Sequence, residues 1–300
     1  MIESNILLSN KTFDDGTPNI KIKDVDEPPY IAWQFSETDW AGDLFRICCI
    51  CDAWERLTEG KRKLTLFVPY LPNARQDRIR NPCECFTLKT ICDILNRYKF
   101  LYTVTIDVHS DVACALLERN RNIDIKTVFE DTLVFHPGTC DCIIFPDAGA
   151  EHKYSWLFKG RKTYVGSKTR DWETQWVTGY TLPNSEELKG CKVVIVDDII
   201  GKGYTMKFLI EELVRCGVKT ITLAVPHIQN SGSDSVIWGK DADWFRYADF
   251  FNVPITLYTT NSTVHTFPRI LKNVNHIFET NLFCESEINK YLSPIKDNEA

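Results

Sequence analysis

The chain has 300 residues, of which 44% are hydrophobic and 25% are charged, and its formal net charge is −6 at pH 7. These proportions permit a substantial apolar core and suit two domains of ordinary size. Nucleic-acid-binding proteins usually carry a basic patch and a positive net charge, whereas this chain is acidic. No nucleic-acid partner is therefore expected.

Short apolar runs of β type alternate with helical patterns along the chain. The predicted strands span residues 20–23, 30–33, 64–68, 104–108, 143–145, 193–196, 220–225 and 255–258. The predicted helices span residues 42–57, 88–97, 111–118, 206–216 and 287–292, and a polar tail follows the last of them. Strands that alternate with helices favour parallel sheets built from strand–helix–strand units.

The twelve cysteines raise the question of disulfides or a zinc site. Residues 83–85 and 140–142 each read Cys-x-Cys, but no two C-x-x-C motifs have the spacing of a zinc ribbon. We therefore expect buried free thiols in a reducing compartment. The first residues do not resemble a signal peptide, and no apolar run is long enough to cross a bilayer. A cytoplasmic protein with no membrane partner is expected.

The run 193–205 carries the strongest chemical signal. Asp197 and Asp198 follow its buried strand, at the strand end where open α/β sheets bind their ligands. A glycine-rich loop then leads into a helical pattern. Carboxylates accept hydrogen bonds from ribose hydroxyls, and loop amides at a helix N-terminus hold phosphate. The pattern indicates a site for a phosphorylated sugar; the alternative is an ordinary strand–helix turn with a solvated aspartate pair.

Further motifs precede this run. They are Phe13-Asp14-Asp15-Gly16-Thr17, Pro69-Tyr70-Leu71-Pro72-Asn73-Ala74-Arg75-Gln76-Asp77, Asp107-Val108-His109, Pro146-Asp147-Ala148-Gly149 and Lys168-Thr169-Arg170. Together with the acidic-pair run, and in this order, they resemble the ribose-phosphate pyrophosphokinase family, also called phosphoribosyl pyrophosphate synthetases.

The resemblance implies an α/β fold of two tandem type I phosphoribosyltransferase-like domains with mainly parallel sheets. We expect residues 1–140 to form an N-terminal domain with the ATP-binding segments and residues 141–300 to form a C-terminal domain with the acceptor loop. Chains of the family normally begin with an additional strand and helix. Only about twelve residues precede Phe13 here, so that opening unit is expected to be reduced or absent.

The resemblance also implies an activity. The family transfers the β,γ-diphosphate of ATP to the anomeric hydroxyl of ribose 5-phosphate with Mg²⁺ and releases AMP, a reaction that depends on positioning and electrostatics. The matching residues are assigned as follows: Phe13, Asp15, Gly16, Thr17, Arg75 and Gln76 to ATP; His109 and Asp147 to the metal; Lys168 and Arg170 to catalysis. For each segment an ordinary surface turn or structural residue is the alternative, and His227 is a second candidate histidine.

The acceptor site differs from the family pattern. Asp197 and Asp198 match the ribose-binding acids, but the family's D-T-x-G-T reads Gly201, Lys202, Gly203, Tyr204 and Thr205 here, which retains only the threonine. A tight amide loop suits a phosphate monoester, whereas a loop with a lysine and an aromatic suits a 5′-diphosphate. Some phage relatives use ADP-ribose, for rebuilding NAD⁺. We therefore expect ADP-ribose slightly ahead of ribose 5-phosphate.

Two other functions remain open on the sequence. A phosphoribosyltransferase that consumes the pyrophosphorylated sugar shares the acidic-pair loop but does not need the Arg75-Gln76 segment. A regulator without activity would keep the fold and lose catalytic residues, which the retained Lys168 and Asp147 count against. Because relatives assemble as dimers or hexamers, a homo-oligomer is expected.

Overall fold

The structure is a computed structural model that describes residues 1–130, 132, 134–136, 138–170, 177–229, 252–263 and 276–296. Two compact units make it up: residues 1–124 with 281–300, and residues 125–280. These units differ from the predicted domains, which meet near residue 140 and assign the C-terminus to the second domain. The C-terminal segment joins the first unit because Phe283 and Tyr291 pack on Phe67, with ring centroids 6.2 and 5.9 Å away.

The strands and helices are numbered in chain order. The strands are β1 (Ile2–Ser4), β2 (Leu7–Thr12), β3 (Pro18–Ile22), β4 (Tyr30–Trp33), β5 (Thr65–Phe67), β6 (Tyr102–Ile106), β7 (Asn120–Ile123), β8 (Cys142–Phe145), β9 (Thr163–Val165), β10 (Ser167–Arg170), β11 (Val177–Thr181), β12 (Lys192–Val196), β13 (Ile199–Ile200), β14 (Thr220–Ala224), β15 (His227–Ile228), β16 (Ile255–Thr260) and β17 (His276–Thr280). The α-helices are α1 (Trp40–Leu57), α2 (Thr87–Asn96), α3 (Asp111–Leu116), α4 (Ile125–Val128), α5 (Ala148–Tyr154), α6 (Tyr204–Cys216) and α7 (Glu285–Lys296).

The first unit contains a five-stranded sheet in the order β1-β4-β5-β6-β7, in which only β1 runs antiparallel to its neighbour. Strands β2 and β3 form a separate antiparallel hairpin. Helix α1 buries one face at helical spacing, through Leu44, Ile47, Ile50, Cys51 and Trp54. The central strands β4, β5 and β6 are buried along almost their whole length, as parallel strands covered on both faces are, whereas the edge strands β1 and β7 are mostly half-buried or exposed.

The second unit contains a six-stranded, wholly parallel sheet in the order β17-β16-β14-β12-β8-β9. Two small sheets lie beyond it: the antiparallel pair β10–β11 and the parallel pair β13–β15. Both pairs adjoin the segments that carry the predicted catalytic and acceptor residues. The predicted fold class is confirmed: the sheets are mainly parallel, and helices alternate with their strands.

The predicted elements are present with small shifts at their ends. The 30–33 strand has the predicted bounds, whereas the 104–108 strand is displaced to Tyr102–Ile106 because Asp107 turns away with a φ of +40°. The sequence did not predict β1, β2, β7, β9, β10, β11, β13, β15, β17, α4 or α5, which are short or polar. Residues 1–12 contain two strands and no helix, and the tail residues 297–300 lie outside the described part.

All twelve cysteines are free thiols, but the expectation that they are buried holds only in part. Cys51, Cys92 and Cys142 are buried, and burial raises the pKa of Cys92 and Cys142 to about 12. Cys83 and Cys85 are exposed because they lie in a polar loop before α2. Among the helices of the described residues, none has the length and apolar character needed to cross a membrane.

Candidate active site

The predicted adenine loop is the tip of the β2–β3 hairpin. The Phe13 amide donates to the Thr17 carbonyl and the Gly16 amide to the Phe13 carbonyl, each at 2.9 Å. The Asp15 carboxylate accepts from the Thr17 amide at 2.9 Å, and that hydrogen bond lowers the pKa of Asp15. The Phe13 side chain is 55% exposed. The loop is therefore closed by its own backbone and presents an aromatic ring to solvent.

Arg46 on α1 fixes this hairpin to the first unit. Its guanidinium donates to the Asn10 side-chain oxygen at 2.8 Å, the Thr12 hydroxyl at 2.6 Å and the Lys11 carbonyl at 3.4 Å. All three acceptors lie on β2, immediately before Phe13. The orientation of the loop thus depends on a residue that the sequence motifs do not mark.

Arg75 and Gln76 lie in the loop that follows β5. Asn73 turns the chain with a φ of +63°, and its carbonyl accepts from the Gln76 amide at 2.9 Å. The Gln76 side-chain oxygen accepts a hydrogen bond from the Thr87 hydroxyl at the start of α2. Arg75 is exposed. A cationic fork at the carboxyl edge of a parallel sheet is suited to phosphate contact.

His109 follows β6 at the same sheet edge and lies near Asp77. Asp77 is 9% exposed and accepts from the Arg78 guanidinium at 3.1 Å. Burial by itself raises the pKa of Asp77, but the hydrogen bond and charge of Arg78 and the charge of His109 hold it below its ordinary value. The edge of the first sheet therefore brings the Arg75–Gln76 loop and His109 together.

Asp147 caps the N-terminus of α5 at the end of β8. One carboxylate oxygen accepts from the Ala150 amide at 3.0 Å, and the other forms an ion pair with the Lys168 ammonium. Burial raises the pKa of Asp147, but the hydrogen bond and charge of Lys168 outweigh it, so the pKa lies below its ordinary value. Two predicted site residues from different motifs are thus in direct contact.

Lys168 lies on β10 and stands opposite Tyr180 of β11. The sequence places the Lys-x-Arg segment in an extended loop, whereas the structure places it in one strand of a hairpin. The pairing register shifts between Thr169 and Arg170, which interrupts the simple alternation along the strand. The Arg170 side chain and residues 171–176 lie outside the described part, so the pairing of Arg170 with Lys168 stays a prediction.

Asp197 and Asp198 stand at the end of β12, next to β8 in the sheet. Asp198 is 7% exposed, and its amide donates to the Asp197 carboxylate at 3.0 Å. Burial, followed by the negative charges of Asp198 and Asp147, raises the pKa of Asp197 well above its ordinary range. The carboxyl edge of the second sheet therefore groups Asp147, Asp197 and Asp198 beside one lysine.

The acceptor loop passes through Gly201, Lys202 and Gly203, and Tyr204 and Thr205 form the first turn of α6. Gly203 occupies the N-cap position with a φ of +88°, a conformation that favours glycine, and has no side chain to cap the helix. Lys202 is exposed. An N-terminus without a side-chain cap has backbone amides suited to an anion.

The small β13–β15 sheet holds the start of this loop. The His227 amide donates to the Asp198 carbonyl at 3.1 Å, and the Gln229 amide donates to the Ile200 carbonyl at 2.8 Å. The His227 ring is buried, with its Nδ1 atom 2.7 Å from the Ser262 hydroxyl. This second candidate histidine therefore lies in a buried polar contact beneath the loop.

Sequence reasoning missed Tyr180. Its hydroxyl donates to the Pro146 carbonyl at 2.9 Å, and burial and the charges of Asp147 and Asp197 raise its pKa. Tyr180 lies on a short strand that the sequence did not predict, and no motif contains it. Only the β10–β11 pairing, which places it opposite Lys168, marks it as part of the site.

The described residues form no group of three or more histidine, cysteine, aspartate or glutamate side chains that would enclose a metal ion. Mg²⁺, however, usually keeps several waters and binds through one or two carboxylates together with substrate phosphates. Asp147, which is 29% exposed, and the neighbouring Asp197 supply oxygen ligands of the kind that Mg²⁺ prefers. The donor set therefore fits a hydrated Mg²⁺ ion.

Comparison with known proteins agrees with this picture. Residues 158–249 match the family model of the phosphoribosyl transferase domain. The chain is 28% identical over 236 residues to the ribose-phosphate pyrophosphokinase of Saccharolobus solfataricus, an alignment that covers 74% of this chain and 77% of the relative. It is 27% identical over 163 residues to ribose-phosphate pyrophosphokinase 2 of Archaeoglobus fulgidus, which covers 53% of this chain and 57% of the relative.

The fold is similar to that of a solved structure. The crystal structure of phosphoribosylpyrophosphate synthetase from Mycobacterium smegmatis superposes with a TM-score of 0.70 at 17% sequence identity. The match covers 97% of this chain and 90% of that chain. The likeness therefore extends over both compact units.

Proposed function

We propose that the chain is a member of the ribose-phosphate pyrophosphokinase family, as its relatives and its fold support, and that it transfers the β,γ-diphosphate of ATP to a ribose-phosphate acceptor. The observation that carries the proposal is the placement of Lys168 beside Asp147 and the Asp197–Asp198 loop at one sheet edge. This placement supports the proposal because it would set a cation next to a ribose bound by the two aspartates.

In the proposed reaction the anomeric hydroxyl oxygen of the acceptor attacks the β-phosphorus of ATP. The bond between that phosphorus and the oxygen bridging to the α-phosphate breaks, AMP leaves, and the hydroxyl proton is released. Bound Mg²⁺ supplies charge neutralisation along the triphosphate. The remaining work is positioning and electrostatic stabilisation by the protein.

Each group of residues has a role in this scheme. Lys168 neutralises charge on the transferring diphosphate, and Asp197 and Asp198 accept hydrogen bonds from the ribose hydroxyls. In the first unit, Arg75 contacts the phosphates of ATP with Gln76 beside it, and the exposed Phe13 ring packs on the adenine. Asp147 would hold the Mg²⁺ ion in the second unit, and His109 keeps its sequence-based assignment to the metal in the first unit.

The acceptor we favour is ADP-ribose, with ribose 5-phosphate as the alternative. The relatives named ribose-phosphate pyrophosphokinase favour ribose 5-phosphate. The loop favours a 5′-diphosphate, since exposed Lys202 adds a positive charge beside the α6 N-terminus and Tyr204 provides an aromatic surface there. Both groups replace residues of the family's monoester loop.

The test compares the two acceptors with ATP and Mg²⁺ and measures AMP. We expect a higher kcat/KM for ADP-ribose, and we expect Lys202→Ala to lower that value more than the value for ribose 5-phosphate. Lys207→Ala, further along α6, is the matched control. A kcat/KM for ribose 5-phosphate that equals or exceeds the ADP-ribose value contradicts the acceptor preference but leaves the diphosphate transfer intact.

A phosphoribosyltransferase that consumes the pyrophosphorylated sugar is the second candidate, because the matching family model is that of the phosphoribosyl transferase domain. Such an enzyme releases pyrophosphate from its sugar substrate and forms no AMP from ATP. The same assay therefore separates the two reactions. We also propose a homo-oligomer, a dimer or hexamer, which sedimentation of the purified chain checks.

A further inference from the structure

The hairpin of β10 and β11 contacts three consecutive residues at the end of β8. The Gly166 amide donates to the Phe145 carbonyl at 2.8 Å, just before β10 begins. The Tyr180 hydroxyl donates to the Pro146 carbonyl at 2.9 Å. The Lys168 ammonium pairs with the Asp147 carboxylate.

Tyr180 is the central member of this series and is packed tightly against Gly166. A Cβ atom added at Gly166 would overlap the Tyr180 hydroxyl and the ring carbon that bears it, and would come within 3.0 Å of the Pro146 carbonyl. The space that a side chain at residue 166 would need is thus filled by the phenol. Glycine there allows the phenol to reach Pro146.

The hydroxyl of Tyr180 remains a hydrogen-bond donor. Burial and the negative charges of Asp147 and Asp197 all disfavour the phenolate. Because the phenol is neutral, Tyr180 donates a hydrogen bond to the Pro146 carbonyl and forms no ion pair with the Asp147 or Asp197 carboxylate. The contact to Pro146 is therefore compatible with the ion pair one residue further along.

We propose that Tyr180 is a positioning residue: its hydrogen bond to the Pro146 carbonyl holds the β10–β11 hairpin so that Lys168 stays against Asp147, poised for the transferring diphosphate. The register supports this role, because Tyr180 is the residue directly opposite Lys168. The effect of Tyr180 on turnover rests on the proposed function. The position of Lys168 against Asp147 can be measured without any enzymatic reaction.

The test uses Tyr180→Phe in the full chain, which removes the hydroxyl and keeps the ring. Tyr164→Phe is the matched control, because the Tyr164 hydroxyl also donates a hydrogen bond to a partner in the same unit, the Glu187 carboxylate at 3.0 Å. Each variant is compared in thermal unfolding, in turnover, and in the rate at which an amine-acylating reagent modifies Lys168, followed by peptide mass spectrometry.

In Tyr180→Phe, we expect the reagent to acylate Lys168 about fivefold faster than in the native chain. We expect the turnover number to fall about tenfold, because one hydrogen bond is lost. The KM for the acceptor should change little, and the variant should cause no further loss of turnover in a Lys168→Ala background. Tyr164→Phe should change neither quantity.

The two proposals fail separately. If the native chain forms no AMP with either acceptor, the proposed function is wrong. The rate of Lys168 acylation then decides by itself whether Tyr180 positions the lysine. A Lys168 acylation rate in Tyr180→Phe that matches the Tyr164→Phe control overturns the inference, whatever the turnover. An equal loss of turnover in the native and Lys168→Ala backgrounds also overturns it.

Discussion

Lys168 and Asp147 form an ion pair that joins the β10–β11 hairpin to the N-terminus of α5. The two side chains are 25% and 29% exposed, so the pair is partly shielded yet open to a bound phosphate. Asp147 thereby holds the lysine at the edge of the sheet where Asp197 and Asp198 stand. This arrangement makes Lys168 the first target for mutation.

Lys168→Ala should lower turnover at least ~10²-fold, because the charge acts mainly in the transition state. Folding should change little, since a partly exposed ion pair contributes about 1 kcal/mol or less. Steady-state AMP formation and thermal unfolding measure the two effects. Lys162→Ala is the control, because Lys162 pairs with Glu187 away from these carboxylates. Near-normal turnover of Lys168→Ala would remove Lys168 from the mechanism.

Arg46→Ala should raise the KM for ATP while leaving kcat nearly unchanged, because it releases the hairpin that carries Phe13. The lost hydrogen bonds involve a charged donor, so an increase of about tenfold is expected. Arg56→Ala is the control on the same helix, where the arginine pairs only with exposed Asp52 in the described structure. A KM for ATP equal in the two variants would contradict the role of the hairpin.

Asp197→Asn should increase the free energy of unfolding relative to the native chain, and this increase should grow as the pH rises. The pKa of Asp197 is raised in the folded state, so ionisation above the ordinary pKa of about 3.9 costs folding free energy. The variant removes that ionisation. Its free energy of unfolding should exceed the native value at pH 8, and the difference should shrink towards pH 4. Denaturant titrations across this range measure it, and a difference that grows at low pH would contradict the assignment.

Asp147→Asn should have the opposite effect and lower the free energy of unfolding. The pKa of Asp147 is lowered in the folded state by Lys168, so its ionised form stabilises the fold above the ordinary pKa. The variant should be less stable than the native chain at pH 7, and the loss should fade as the pH falls below the ordinary value of about 3.9. The same titrations test this, with a pH-independent difference as the contrary result.

Gly166→Ala should destabilise the second unit by about 1–3 kcal/mol, because the added methyl group overlaps the Tyr180 phenol. Gly179→Ala in the same hairpin is the control, since a Cβ there meets Thr169 at an ordinary 3.7 Å. In a Tyr180→Ala background the same Gly166→Ala change should cost less stability, because the phenol that the methyl group overlaps is gone. If the two glycine variants unfold at the same temperature, the overlap is not significant.

AMP formation should require a divalent cation, and His109→Ala and Asp147→Ala together should abolish it. His152→Ala on α5, an exposed histidine, should retain activity. The measurement is AMP production as Mg²⁺ is titrated into the chelated protein. Undiminished production in excess chelator would exclude the metal assignment.

The apolar strands and amphipathic helices were predictable because their signals are local. Residues 193–196 form a continuous apolar run, and the sheet buries them as part of β12. The apolar residues of α1 and α2 recur at helical spacing, and both helices lie within two residues of the predicted bounds. Asp197 and Asp198 follow directly from the end of β12, so their place at the carboxyl edge was also predictable.

The sequence by itself thus determined the order of the longer apolar strands and amphipathic helices, the fold class and which motifs stand at strand ends, since each depends on neighbouring residues. Only the tertiary structure decided that α7 joins the first unit, that Lys168 pairs with Asp147 and that Tyr180 bonds to Pro146. The last two contacts link residues 21 and 34 positions apart. Partners so distant in the chain leave no periodic signal, because only packing of the β10–β11 hairpin against the end of β8 brings them together.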